Sequence, residues 1–314
     1  MMKLVILDDY ERTTDRISFE QPSLANVEME IFYDQAEGDE LVDRIRNADI
    51  IVPIRERTHF TQELLIKLPN LQLIAQTGSG TAHIDKEAAQ EKGIKILTTP
   101  GGSQAVTELV CGLMIAHARQ FLPLDQEVRQ NKWPNVVGVG LAGKTLGVIG
   151  LGKIGAGVAV IAKAFGMRVI AWGPRLTEER ALAHNVEYVE LEDLFSQSDF
   201  LSVHVRLVPE TKNLIKAEHF EMMKRSAFFM NTSRGEVVDE GALVHALETK
   251  QIAGAGLDVF IEEPLKEGHP LTLLDNVILT PHIGWKTDST FEMFLNKALD
   301  NVTKYLKNKA KTKN

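Results

Sequence analysis

The segment Leu146-Gly147-Val148-Ile149-Gly150-Leu151-Gly152-Lys153-Ile154-Gly155 constrains this chain more than any other. An apolar, β-rich run enters Gly-x-Gly-x-x-Gly and leaves it in a helical pattern. In that order the first glycine permits a tight turn, the second lets backbone approach a pyrophosphate, and the third lets helix and strand pack closely. The positive end of the helix then faces the phosphates. Glycine-rich turns are common, and it is the strand before and the helix after that make this one a dinucleotide site. Gly150, Gly152, Lys153, Ile154 and Gly155 are its candidate contacts.

Around this turn the chain alternates strand and helix. Leu4–Leu7, Glu28–Tyr33, Asp49–Pro53, Leu71–Ala75 and Ile94–Leu97 read as strands, with helical stretches at Gly38–Ala48, Thr61–Leu68 and Ile84–Lys92. After the breaker Pro100-Gly101-Gly102-Ser103, one helix is expected over Ser103–Gln120, interrupted near Asn131–Asn135. A second series follows: Thr145–Ile149, Arg168–Ala171, Phe200–Val205, Ala227–Asn231, Gly254–Val259 and Val277–Thr280. Six strands with helices between them suit a doubly wound parallel sheet. An amphipathic helix is expected over Asp288–Leu306, with the Lys-rich tail from Lys307 frayed.

The strand after the glycine turn normally ends in an acid that binds the adenosine ribose. Here it reads Val169-Ile170-Ala171-Trp172-Gly173-Pro174-Arg175. Gly173 removes the carboxylate that would repel a 2′-phosphate, and Arg175 is close enough in sequence to pair with one. The pattern favours NADP(H), with NAD(H) left open.

Four segments in order resemble the D-isomer-specific 2-hydroxyacid dehydrogenase family over nearly the whole chain: Gly150–Gly155, Asn231–Asp239, Gly256–Pro264 and Thr280–Gly284. The resemblance implies a Rossmann-type doubly wound α/β domain, residues 100–285, inserted into a smaller flavodoxin-like α/β substrate domain, residues 1–99 and 286–314. It also implies an active site in the cleft, a homodimer formed through the cofactor domains, and interconversion of a small 2-keto acid with a D-2-hydroxy acid.

Hydride transfer of that kind needs a gripped carboxylate, a polarised carbonyl and a proton donor. Arg234, after the strand ending at Asn231, offers a planar fork for carboxylate and carbonyl together. His282, after Val277–Thr280, has the side chain whose ordinary pKa lies nearest neutrality. The other eight histidines read mostly as surface residues. The resemblance implies that Glu263, directly before Pro264, partners His282, stabilising its imidazolium and fixing its tautomer, in preference to the adjacent Glu262. It also implies that Thr232 and Asp258 contact the cofactor, Asp258 through the nicotinamide carboxamide, and that the amides of Ser79 and Gly80 hold the substrate carboxylate. Arg55 and Trp285 are further candidates for the pocket, Arg57 reads equally as a solvated charge, and His83 stands where better-known members carry Asn.

The pattern points to a glyoxylate/hydroxypyruvate-type reductase, with D-3-phosphoglycerate dehydrogenase as the alternative. Gln76 stands where phosphoglycerate enzymes often have Arg, and the length of 314 residues leaves no room for their regulatory domain. Formate oxidation is disfavoured by Glu in place of Gln beside the histidine. A corepressor-like NAD(H)-sensing protein is the reading from another class. The net charge of −8, from 35 basic and 43 acidic residues, gives no electrostatic reason for nucleic-acid or anionic-membrane partners. One cysteine, Cys111, sits in a helix-core pattern and excludes a disulfide framework; no metal-ligand cluster is evident. Neither a signal peptide nor an apolar run of membrane length stands out, so the cytoplasm is expected.

Overall fold

Short runs of Val, Ile and Leu buried on both faces become parallel strands, because crossover helices cover both sides of such a sheet. The computed structural model describes residues 1–19 and 22–312. Its contacts divide the chain into two units, Met1–Gly102 with Lys286–Asn314, and Ser103–Trp285. The breaker Pro100–Gly102 clusters with the first unit, where a Cβ on Gly102 would strike the Thr290 side chain at 2.7 Å.

In the first unit β1 (Met2–Leu7), β2 (Val27–Ile31), β3 (Ile50–Pro53), β4 (Leu73–Gln76) and β5 (Lys95–Thr98) form a parallel sheet ordered β2-β1-β3-β4-β5. This is the flavodoxin-like order, and its reversal between β1 and β3 opens a crevice at the carboxyl ends of those strands. Val5, Ile51 and Ile74 pack with Val42, Ile45, Phe60 and Leu65 from the connections. Thr61 and Asp85 cap the helices Gln62–Ile66 and Lys86–Glu91, each side chain accepting a hydrogen bond from the backbone three residues on. The last helix runs Asp288–Thr312 and buries Phe294, Leu295, Ala298, Leu299 and Val302. It does not fray at Lys307, because Tyr305 and Lys309 both bond the Gln72 side chain, a contact 233 or more residues away in sequence.

The second unit has seven parallel strands: β6 (Thr145–Ile149), β7 (Arg168–Trp172), β8 (Glu187–Tyr188), β9 (Phe200–Val203), β10 (Phe228–Asn231), β11 (Gly254–Leu257) and β12 (Val277–Leu279). Their order is β12-β11-β10-β9-β6-β7-β8, the doubly wound nucleotide-binding arrangement with one strand more than the six expected. The addition is β8, a two-residue edge strand with no apolar run to announce it. The helix expected after the breaker runs Ser103–Ala118, and a further helix, Phe121–Arg129, follows it after Gln120 at φ 52°. Cys111 is buried in the first of them, and burial pushes its thiol up to about 11, so it stays protonated and unreactive.

Candidate functional site

All seven strands of the second unit run the same way, so the loops that follow β6, β7, β10, β11 and β12 gather along one edge of the sheet. The glycine turn follows β6, at the point where strand order reverses. Gly150 takes φ +95°, and a Cβ there would meet the His204 backbone at 2.9 Å. A Cβ on Gly155 would lie 2.3 Å from the Gly150 carbonyl oxygen, so this position is closed by packing. Gly152 differs: nothing lies within 4 Å of a Cβ there. Lys153 and Ile154 open the helix Lys153–Ala164, whose N-terminus has no side-chain cap. Its first-turn N–H groups therefore lack intrahelical partners and point at the open side of Gly152.

Residue 173 abuts this turn, since a Cβ on Gly173 would lie 3.5 Å from the Gly150 Cα. With glycine there, no carboxylate faces the site. Arg175 is exposed two residues on, and its carbonyl accepts a 2.7 Å hydrogen bond from Arg180 Nη1, which draws a second arginine to the loop. Thr232, just beyond β10, buries a hydroxyl with no partner among the described residues. An orphaned hydroxyl and an uncapped glycine cradle on the same edge both fit a nicotinamide dinucleotide.

Arg234 is exposed after β10, with Nη1 donating to the Ser233 carbonyl at 2.7 Å and no ion pair among the described residues. Asn231 shapes its loop, accepting from the Ser233 backbone and hydroxyl and donating to the Arg234 carbonyl. His282 follows β12 and lies at φ +51°, a region that only a few per cent of residues other than glycine adopt. Its Nδ1 is 2.7 Å from Glu263 Oε2, while Glu263 Oε1 accepts from the Phe260 backbone at 3.0 Å. The ring's other nitrogen, Nε2, is thereby set apart from the carboxylate. Glu262 points elsewhere and pairs with Lys266 at 2.7 Å.

Sequence reasoning missed what holds this turn. Asp258, 1% exposed, accepts from the Thr280 hydroxyl at 2.5 Å and from the Ile283 and Gly284 N–H groups at 2.8 Å each. Those three bonds bracket His282 on both sides. The signal was available in part: a buried Asp must find donors, and Thr280 and the Ile283-Gly284 turn lie one strand over. Trp285 ends this unit, half-buried.

In the first unit Ser79 and Gly80 follow β4, and neither backbone N–H has a hydrogen-bond partner among the described residues. Arg55 follows β3 at φ +64°; its N–H donates to the Thr77 hydroxyl and its carbonyl accepts from Gln76. Arg57 is not a solvated charge: it makes a two-pronged pair with Glu11 at 2.6 and 2.8 Å and donates to the Asp8 carbonyl. The histidines depart most from their surface reading. His83 is buried and bonded to Gln76, His219 is buried, and His117 stacks on Phe228 at 3.8 Å. Burial pushes His117 and His204 down to about 4 and lowers His83 and His219.

The strand order and glycine turn of the second unit define a Rossmann-type nucleotide-binding fold. A family model for the D-isomer specific 2-hydroxyacid dehydrogenase NAD-binding domain matches residues 111–284. The chain is 42% identical over 265 residues to the hydroxypyruvate reductase of Thermotoga maritima, covering 83% of this chain and 85% of that one. It is 42% identical over 254 residues to the D-3-phosphoglycerate dehydrogenase of Methanocaldococcus jannaschii, covering 80% of this chain but 48% of the relative. The chain thus spans about half the length of the phosphoglycerate dehydrogenases it matches. A solved phosphoglycerate oxidoreductase from Vibrio cholerae superposes with a TM-score of 0.84 at 34% identity, over 97% of this chain and 99% of that one. The chain belongs to the D-isomer specific 2-hydroxyacid dehydrogenase family. Its fold is built to hold NAD(H) or NADP(H). No helix among the described residues is long and apolar enough to cross a membrane.

Proposed function

We propose that this chain is an NAD(P)H-dependent cytoplasmic reductase of small 2-keto acids, of the glyoxylate/hydroxypyruvate type, with NADP(H) as the preferred cofactor. The observation that carries the reading is the His282–Glu263 pair at 2.7 Å, set on a left-handed turn beside the Arg234 loop. When bound, the nicotinamide supplies the hydride. Ser79 and Gly80 would receive the substrate carboxylate on their unpaired amides, and Arg234 would polarise the 2-carbonyl. His282 would deliver the proton to the nascent alkoxide from Nε2, while Glu263, on Nδ1, stabilises the imidazolium before transfer. Gly152, Lys153, Ile154 and Thr232 would hold the cofactor, and Arg175 would meet its 2′-phosphate.

D-3-phosphoglycerate oxidation is the second reading, favoured by the name of the M. jannaschii relative. Against it stands Gln76, fully buried and spent on Arg55, Thr77 and His83, where a phosphate-binding cation would be needed. A homodimer is supported by exposed apolar residues between positions 121 and 139, including Phe121, Leu122, Trp133 and Val137. Sedimentation at micromolar concentration checks it, and a monomer there would rule it out.

The test is oxidation of NADPH and NADH against glyoxylate, hydroxypyruvate and phosphohydroxypyruvate. Fastest turnover is expected with NADPH and one of the two unphosphorylated acids; no turnover of any pair would overturn the reading. His282→Gln should lower turnover by roughly 10²–10⁴-fold while nucleotide still binds.

A further inference from the structure

The loop that carries Arg234 and the loop that carries Glu263 meet backbone to backbone. A Cβ on Gly235 would lie 2.2 Å from the Phe260 carbonyl carbon and 2.4 Å from the Ile261 nitrogen, so only glycine allows this approach. The Phe260 N–H is also the group that holds Glu263 Oε1, while Glu263 Oε2 faces His282 Nδ1. The placement of Arg234 relative to the Glu263–His282 pair is therefore set by how these two segments lie on each other. Beyond Gly235 they part around a small cavity, lined on one side by Val238, Glu240 and Leu243 and on the other by Val259 and Leu271. Packing fixes a register only where atoms fill the space between two segments, and here they leave a gap.

A polar contact closes the far end of that gap. Glu240 opens the helix Glu240–Glu248, and His269 caps the turn Pro270–Leu273. The two stand the same number of residues past Arg234 and past Glu263. His269 Nε2 lies 3.2 Å from Glu240 Oε1, with 19% and 27% of the two side chains exposed, so the bond is largely shielded from water. Its direction is fixed. His269 Nδ1 accepts from the Leu271 N–H at 3.3 Å, so the ring proton sits on Nε2 and is donated to the carboxylate. The His269 backbone is held in turn, its N–H on the Lys266 carbonyl and its carbonyl by the Thr272 hydroxyl. On the other side, the Asp239 carboxylate accepts from the Ala242 N–H and fixes the helical turn from which Glu240 projects.

We propose that His269 and Glu240 are positioning residues for the reaction: their hydrogen bond holds the Arg234 segment in register with the Glu263–His282 pair. The carbonyl that Arg234 polarises then lies where His282 Nε2 delivers its proton. Neither His269 nor Glu240 touches the substrate. Without the bond, the segment after Arg234 is free to shift over the cavity about its contact at Gly235, and polarisation and proton delivery fall out of line. A misplacement of about 1 Å can cost roughly 10²-fold in rate. The assignment rests on the reductase reading above and adds the residues that align its site.

The experiment measures kcat and KM for hydroxypyruvate, and the dissociation constant of NADPH, in the full chain as wild type, His269→Leu, Glu240→Met and His269→Gln. Turnover is expressed per nucleotide site, so that a partly unfolded preparation does not imitate a slow one. In His269→Leu and in Glu240→Met, kcat should fall by about tenfold or more. KM and the NADPH dissociation constant should stay within about threefold, because the Ser79–Gly80 amides and the glycine turn are untouched. His269→Gln returns an N–H donor near the place of Nε2 and should recover kcat to within about threefold of wild type. A kcat unchanged within about twofold in both His269→Leu and Glu240→Met would overturn the positioning role and leave the reductase reading standing. A loss that His269→Gln does not recover would overturn it as well, since the imidazole would then serve packing and not register. A wild type that reduces no 2-keto acid would overturn both.

Discussion

Two turns on the same edge of the second unit reach a left-handed backbone by opposite means. At the glycine turn, Gly150 adopts φ +95° at no steric cost, and its neighbours are strand and helix a few residues away. At the turn after β12, His282 adopts φ +51° with a full side chain, a conformation costing roughly 1 kcal/mol or more without glycine. There the cost is offset by Asp258, 24 residues back, which accepts three hydrogen bonds around the histidine. The first turn must present backbone to a phosphate, so it dispenses with side chains. The second carries an imidazole, so its conformation has to be imposed from outside.

The sharpest way to break this contrast is Asp258→Ala. It removes the acceptor of the Ile283 and Gly284 N–H groups and leaves the Thr280 hydroxyl only the Leu257 carbonyl, so the second unit should lose about 2–5 kcal/mol in denaturant unfolding, given ~1–3 kcal/mol per orphaned group. Reductase activity should fall with it, even though Asp258 need not touch the substrate. A loss below about 1 kcal/mol would mean the His282 turn is held by something other than these bonds.

Two alanine substitutions then separate packing from recognition within the glycine turn. Gly155→Ala places a Cβ 2.3 Å from a backbone oxygen that cannot step aside, and should cost about 2 kcal/mol of stability. Gly152→Ala enters open space, so stability should change by less than about 1 kcal/mol while nucleotide affinity falls roughly tenfold or more. Equal stability losses in the two variants would remove the distinction between a glycine needed for the fold and one needed for the ligand.

The last contrast concerns acid stability. His204, whose backbone roofs Gly150, and His117, stacked on Phe228, are both pushed by burial down to about 4. The unfolded chain binds protons at these residues from about pH 6.5 downward, and the folded chain only near pH 4. Stability present above about pH 6.5 should therefore be lost progressively as pH falls toward 4, by roughly 2 kcal/mol for each of the two histidines at pH 5. His204→Gln should flatten part of that slope in urea titrations. An unchanged slope would show that His204 does not report on the glycine side of the edge.

The alternation of strand and helix, the glycine turn and the helix-core position of Cys111 were legible because each depends on neighbours within one or two turns of chain. Glu263 and His282 were legible only as members of a family pattern; their 2.7 Å contact spans 19 residues. The two-residue strand β8 and the buried histidines were not legible. An edge strand needs no apolar run, and an imidazole packs as readily as it solvates once a Phe or Gln is opposite. The Lys-rich end of the last helix reads as a frayed tail until Gln72 is placed beside it.

By itself, then, the sequence determined the fold class and the phosphate-facing turn, because glycine spacing and apolar periodicity act through local sterics and burial. The tertiary structure decided which residues hold the His282 turn, which arginine is spent in an ion pair, and which carboxylate His269 meets. Each of those depends on a hydrogen bond or charge contact between strands far apart in the chain. Such a contact has no local signature, since its strength comes from burial and geometry that only the folded sheet supplies.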